Sequence, residues 1–394
     1  MDITEINNGI YYAGINDRSS VLFESLWAIP KGITYNSYIV KGEKTALIDT
    51  VDASSSNRFL NKIKAVIGDA NLDYLVINHM EPDHSGSIQF ILDHFPGVKI
   101  VGNKITADQL SGFYNIKDNV MIVGDGDEID LGGRTLTFKL TPMVHWPETM
   151  MTFDSLTGTL FTGDAFGTFG ALNGEILDHE IEIEEYIPEA FRYYACIVAK
   201  YGKFVQRALA KLKGMTINML CPTHGPVWRD YMMHILDLYD RLSQFKAVNG
   251  VVIAYGSMYG NTEEIAELLA RIFTLKGIPV KMHNLTKSDL SDVLSDSIKY
   301  KGIIVGSPTY SNGILPPVET YLNALVTREF KDRVFASFGS FTWGPGIKKK
   351  LDKIVESLDF SHIENPFEMK QAQIESIENN IEEFVDRFIS ELNK

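Results

Sequence analysis

From Val251 to Lys394, strand-like and helix-like segments alternate without exception, and no other feature of the chain restricts its fold as much. Strands are expected at Val251–Tyr255, Val280–Met282, Gly302–Val305, Val334–Phe338 and residues 367–371. Helices are expected at residues 262–275, 288–296, 317–328, 346–357 and 374–392. The short apolar runs read as buried strands, and the 3.6-residue spacing between them reads as helices. Parallel strands need a crossover, usually a helix, so five such units predict an α/β fold with a doubly wound, five-stranded parallel sheet.

A chain of 394 residues also exceeds what one core holds, since single cores stop growing near 250–300 residues. Residues 1–249 are therefore read as one domain and residues 250–394 as another. The first is expected to mix sheets with covering helices in an α+β arrangement. Its strands are placed at Ile10–Ala13, Tyr38–Val40, Thr45–Ile48, Tyr74–Ile77, Val98–Val101, Val120–Val123, Leu136–Leu140, Met150–Phe153, Thr159–Phe161 and Ile217–Leu220. Helical patterns fall at residues 86–95 and 105–113, over a long amphipathic stretch Glu184–Lys213, and at Tyr231–Phe245. The junction Ala247-Val248-Asn249-Gly250 contains no Pro- or Ser-rich spacer, which predicts tightly seated domains rather than tethered ones.

A net charge of −14 gives no general attraction for phosphate backbones or anionic lipid, so nucleic acid is excluded as an expected partner. No apolar run reaches the ~20 residues of a membrane span, and the acidic start Met1-Asp2-Ile3-Thr4-Glu5 does not read as a secretory signal. A soluble, cytoplasmic protein is the expectation. Cys196 and Cys221 are the only cysteines and form no Cys-x-x-Cys pair, so neither an iron–sulfur nor a rubredoxin-type centre is expected. Two buried free thiols fit a reducing compartment better than a disulfide.

The strand Tyr74–Ile77 leads straight into His79-Met80-Glu81-Pro82-Asp83-His84, which packs four metal-binding side chains into six residues. His145, Asp164 and His224 likewise stand just after apolar strands. Each alone has an ordinary reading: a packed histidine beside Trp146, a turn cap, a loop hydrogen bond. Together they place seven groups where strand ends can converge them, enough for two metal ions.

The first strand of the second domain runs into Ser257-Met258-Tyr259-Gly260-Asn261-Thr262 and then a helix. Hydroxyls of Ser257 and Thr262, with backbone N–H groups at the helix start, suit a phosphomonoester without any Lys or Arg. Two later loops, Pro308-Thr309-Tyr310-Ser311-Asn312-Gly313 and Ser340-Phe341-Thr342-Trp343-Gly344, also follow strands and mix glycines with aromatics. At the carboxyl ends of a parallel sheet they would flank the phosphate loop and offer Tyr310 and Trp343 to a flat ring. No Gly-x-Gly-x-x-Gly occurs, so a dinucleotide site is unsupported.

The seven-residue set resembles the metallo-β-lactamase-like fold, an αββα sandwich with a binuclear site at its edge, and the three loops resemble flavodoxin with bound FMN. Glu81 departs from the His-x-His-x-Asp-His of that superfamily's hydrolases. Three anionic oxygen donors, Glu81, Asp83 and Asp164, favour iron over zinc and redox chemistry over water activation. The two halves in this order resemble the flavodiiron proteins over essentially the whole chain. That resemblance implies reduction of dioxygen to water or of nitric oxide to nitrous oxide, with no preference between them legible. It implies His79, Glu81 and His145 on one iron, Asp83, His84 and His224 on the other, and Asp164 bridging; in some relatives water takes the place of His84. It further implies FMN, an external donor such as rubredoxin or a flavin reductase, and a head-to-tail homodimer or a dimer of dimers. Glu24 and Tyr193 could stand near the metals without an assigned role. The alternative is a metal-dependent hydrolase with a flavodoxin-like docking domain, against which Glu81 and the aromatic loops weigh.

Overall fold

Val251, Val252, Ile253 and Ala254 are buried on both faces of their strand, as the middle of a parallel sheet requires. This strand, Val248–Tyr255, lies between Val280–Asn284 and Tyr300–Pro308, and the sheet continues through Lys331–Phe341. All these pairings are parallel, in the order second, first, third, fourth, fifth, which is that of flavodoxin. The fifth position is shared by Asp359–His362 and Glu368–Lys370, both paired with Lys331–Phe341. Only the second piece is expected from the sequence. Asp359-Phe360-Ser361-His362 holds a single apolar residue and is exposed at the edge except for the half-buried Phe360, so it leaves no apolar run to detect.

Five helices cover the sheet: Asn261–Leu275, Leu290–Lys299, Pro316–Thr327, Ile347–Val355 and Glu375–Leu392. Ile253, Phe273, Phe338, Phe384 and Phe388 meet in one core between the sheet and two of these helices. Each such side chain contributes about 1.5–3 kcal/mol on burial.

The computed structural model describes residues 4–365 and 367–394. It falls into two units, one holding the chain up to Tyr194 with Tyr201–Ser243, the other Ala195–Lys200 with Gln244–Lys394. The first unit contains a seven-stranded and a five-stranded sheet. In the larger, Thr45–Ile48, Tyr74–Val76 and Lys99–Gly102 run parallel; in the smaller, Thr159–Gly163 runs parallel to Met219–Pro222. Three parallel strands therefore end near His79, Asp164 and His224.

Two helical expectations need correction. The stretch Glu184–Lys213 is not one helix: Ile183–Tyr193 gives way to a wider turn at Tyr194–Val198 and a tight one at Ala199–Tyr201 before Gly202–Leu212. A side chain at Gly202 would strike the Ser243 backbone, so the chain must re-aim there to pack closely. The helix Ser56–Ile67, not expected from the sequence, buries Phe59, Leu60, Ile63 and Ile67 on one face. Among the described residues, no helix is long and apolar enough to cross a membrane.

Candidate metal centre and flavin cradle

The bend after Tyr74–Val76 is set by Asp49, whose carboxylate accepts the Asn78 backbone N–H at 2.7 Å, its side-chain amide at 3.1 Å and the His79 N–H at 3.3 Å. Pro82 then opens the helical turn Pro82–Ser85, which turns Asp83 and His84 toward the strand ends. Asp164 arrives from Thr159–Gly163 and His224 from Met219–Pro222.

The seven side chains converge as two sets. His79, Glu81, His145 and Asp164 form one, and Asp83, His84 and His224 the other, each with its donor atoms within 4.8 Å. Asp164 joins them: Oδ2 lies 3.1 Å from His145 Nε2 and 3.5 Å from His79 Nε2, while Oδ1 lies 3.0 Å from His84 Nε2 and 3.6 Å from His224 Nε2. Glu81 Oε2 stands 3.3 and 3.2 Å from Nε2 of His79 and His145. Asp83 Oδ2 stands 3.1 and 3.3 Å from Nε2 of His84 and His224.

Asp83 Oδ1 and His84 Nδ1 are buried without a hydrogen-bond partner, and the close approaches of Asp83 Oδ2, His84 Nε2 and His224 Nε2 to one another lack hydrogen-bond geometry. Native interiors rarely leave such atoms unsatisfied. Orphaned acceptors gathered at one point fit a cation, and the mixed imidazole and carboxylate set fits iron. Burial pushes His84 and His145 down, but the surrounding carboxylates outweigh it and lift them to about 10 and about 9. Burial likewise opposes ionisation of Asp164, yet His84, His79 and His145 hold it well below the usual carboxylate range. The site is thus electrically matched by protons that a metal pair would replace.

Glu148, Thr34 and Thr223 escape detection in the sequence because nothing marks them locally. Glu148 Oε1 sits 2.7 Å from His79 Nδ1, and the Thr34 carbonyl 2.6 Å from His224 Nδ1. Thr223 donates to Asp164 Oδ1 at 2.6 Å. Glu24, expected near the metals from the sequence, accepts the Trp27 indole N–H at 3.1 Å, and burial together with the charge of Glu81 pushes it up to about 7. The buried Tyr193 hydroxyl has no hydrogen-bond partner, and its ring centre lies 5.6 Å from that of His224. A third acidic group, Asp178, His179 and Asp230, is a backbone cap: the Asp178 carboxylate accepts the N–H groups of Arg229, Asp230 and Tyr231.

In the second unit, Ser257, Met258, Tyr259, Asn261 and Thr262 line a cavity of about 320 Å³ with Pro308, Thr309, Asn312 and residues Ser340 to Gly344. Gln371, unforeseen in the sequence, lines it too. Gly260 makes the turn at φ +94° before the helix without lining the cavity itself, and its N–H donates to Ser257 Oγ. Tyr310, Ser311 and Gly313 do not line the cavity either: Tyr310 and Gly313 exchange backbone hydrogen bonds in a tight turn. Trp343 and Tyr259 are 92% and 90% exposed, free to face a ring, and the buried Thr309 Oγ1 has no partner. A helix start, hydroxyls and exposed aromatics fit a flavin and its phosphate.

A β-lactamase-like unit whose donor set contains Glu81, joined to a flavodoxin-like unit, defines a redox flavoprotein rather than a hydrolase. Residues 33–225 match the ODP family beta lactamase model and residues 253–384 the flavodoxin model. A nitric oxide reductase of Moorella thermoacetica is 33% identical over 92% of this chain and 91% of its own. The rubredoxin oxygen:oxidoreductase of Desulfovibrio gigas superposes with a TM-score of 0.93 at 30% identity, covering 100% of this chain and 99% of that one. A flavo di-iron protein of Thermotoga maritima superposes with a TM-score of 0.90 at 27% identity, over 97% and 96%. The chain belongs to the flavodiiron family, and it is an oxidoreductase.

Proposed function

We propose that this protein reduces dioxygen to water or nitric oxide to nitrous oxide, with one iron on His79, Glu81 and His145, a second on Asp83, His84 and His224, and FMN in the cradle of the second unit. The observation that carries the reading is Asp164, whose two oxygens face two separate donor sets around buried, unpartnered atoms. When bound, the irons supply electrons to a small diatomic gas and the flavin restores them. The chain's own part is positional. Asp164 fixes the spacing of the two sets, Pro82–Ser85 presents Asp83 and His84, and Phe23, Tyr35 and Tyr193 pack around His224.

Electrons come from a carrier such as rubredoxin or a flavin reductase, in the cytoplasm. The working assembly is a head-to-tail homodimer, alone or paired, in which the flavin of one copy serves the irons of the other. The test is iron and flavin analysis, then anaerobic reduction and separate rapid mixing with each gas. Two irons and one FMN per chain with fast reoxidation by either gas is expected; two zincs and no reoxidation would overturn the reading.

A further inference from the structure

The two metal positions are built from the same donors: two imidazole Nε2 atoms, one carboxylate and one oxygen of Asp164. What differs lies behind them. On one side the His79 Nδ1–H points at the carboxylate of Glu148, a residue with no exposed surface. Glu148 is itself fixed: the Met80 N–H donates to Oε1 at 3.0 Å, Gln109 Nε2 to Oε2 at 3.3 Å, and Asn103 Nδ2 to its carbonyl. On the other side His224 has only the neutral Thr34 carbonyl behind it, and His84 Nδ1 has no partner. A carboxylate on Nδ1–H pushes charge into the ring and makes Nε2 a stronger donor than a carbonyl can. Thr223 acts in the same sense from the opposite side, since its hydrogen bond draws charge away from Asp164 Oδ1, the oxygen facing His84 and His224.

We propose that Glu148, acting through His79, together with Thr223, acting through Asp164, makes the two iron positions inequivalent, so that the ion at His79, Glu81 and His145 is the first to become ferric. This rests on the diiron reading above. In a titration with ferricyanide, the diferrous protein loses one electron from that ion and then one from its neighbour, each electron reducing one ferricyanide. Glu148 is a positioning residue here, because it reaches the metal only through the imidazole. Glu24, whose charge interacts with that of Glu81 on the same side, stays unchanged in every variant, so its influence is common to all.

The experiment begins with iron analysis of the full chain, since zinc in place of iron would overturn the diiron reading itself and this proposal with it. Iron-loaded wild type, Glu148→Gln and Thr223→Val are then titrated, with the half-oxidised state followed by electron paramagnetic resonance. Gln keeps acceptors for His79 and Met80 but removes the charge, so the lower of the two potentials should rise while the upper stays. The constant favouring the half-oxidised state should fall about tenfold, which is 59 mV for one electron. Thr223→Val, a near-isosteric change that leaves Glu148 intact, should instead lower the upper potential. If Glu148→Gln does not fold, the Thr223→Val shift alone decides. Unmoved potentials in an iron-replete variant, or movement of the other potential, would overturn the proposal.

Discussion

Asp164 is the residue on which both donor sets depend, and it is 1% exposed. Replacing it with alanine removes the shared anion between two cations held by separate histidines, and at least one iron should be lost while FMN stays. Elemental analysis with flavin absorbance checks this; two irons retained would reduce Asp164 to a turn residue. The same carboxylates set the pH response of the metal-free protein. His84 and His145 are raised to about 10 and about 9 when folded, from about 6.5 unfolded. Their stabilisation is therefore complete below about pH 6.5 and fades as pH rises through 9 and 10. Chelated protein should lose melting temperature between neutral and alkaline pH, whereas iron, taking the place of those protons, should remove that loss and make acid the destabilising condition instead. Equal profiles for the two forms would contradict the assignment. The seven donors are legible in the sequence because they crowd a motif or end apolar strands. Glu148, Asp49 and Thr34 are not, since each acts across 30 to 190 residues of chain and carries no local mark.

The three central strands of the second unit are legible because they are buried on both faces and so read as unbroken apolar runs, whereas Asp359–His362 at the edge shows no such run. The helix Ile183–Tyr193 and its continuation look like one element in the sequence because both halves are amphipathic, while the irregular turn between them ends at Gly202, where the chain passes close against the Ser243 backbone. Two glycines carry conformational demands that can be separated. Gly260 sits at φ +94° with open space where a Cβ would stand, so Gly260→Ala should cost about 1–3 kcal/mol through backbone strain and weaken FMN binding. Gly306 is different: an added Cβ would meet the Phe338 ring at 2.2 Å. Gly306→Ala should cost about 1–3 kcal/mol by overpacking, and Phe338→Leu should relieve part of that cost when combined with it. Denaturant melts of the two singles and the double check this; strict additivity would show that the ring is not the obstacle.

For the whole molecule, electrons must pass from flavin to iron, and each cofactor is read into a separate unit of the chain. Both units are visible in the sequence because each has its own motif and rhythm, but no local pattern encodes which copy's flavin serves which copy's irons. A two-fold, head-to-tail pairing supplies two equivalent paths, each crossing from one copy to the other. A mixed dimer separates this from transfer within one chain. One copy carries His79→Ala with Asp164→Ala and lacks irons; the other carries Ser257→Glu with Thr262→Glu, which sets two negative charges in the phosphate loop and excludes FMN. Homodimers of either should be inactive. In the mixed dimer, the flavin of the first copy faces the intact irons of the second, leaving one complete path, so gas reduction should return to about half the wild-type rate per dimer. Under transfer within a chain neither copy holds both cofactors, and no activity returns. Isolating the mixed species with two different affinity tags and confirming one FMN and two irons per dimer makes a silent result meaningful: it would reject the head-to-tail arrangement.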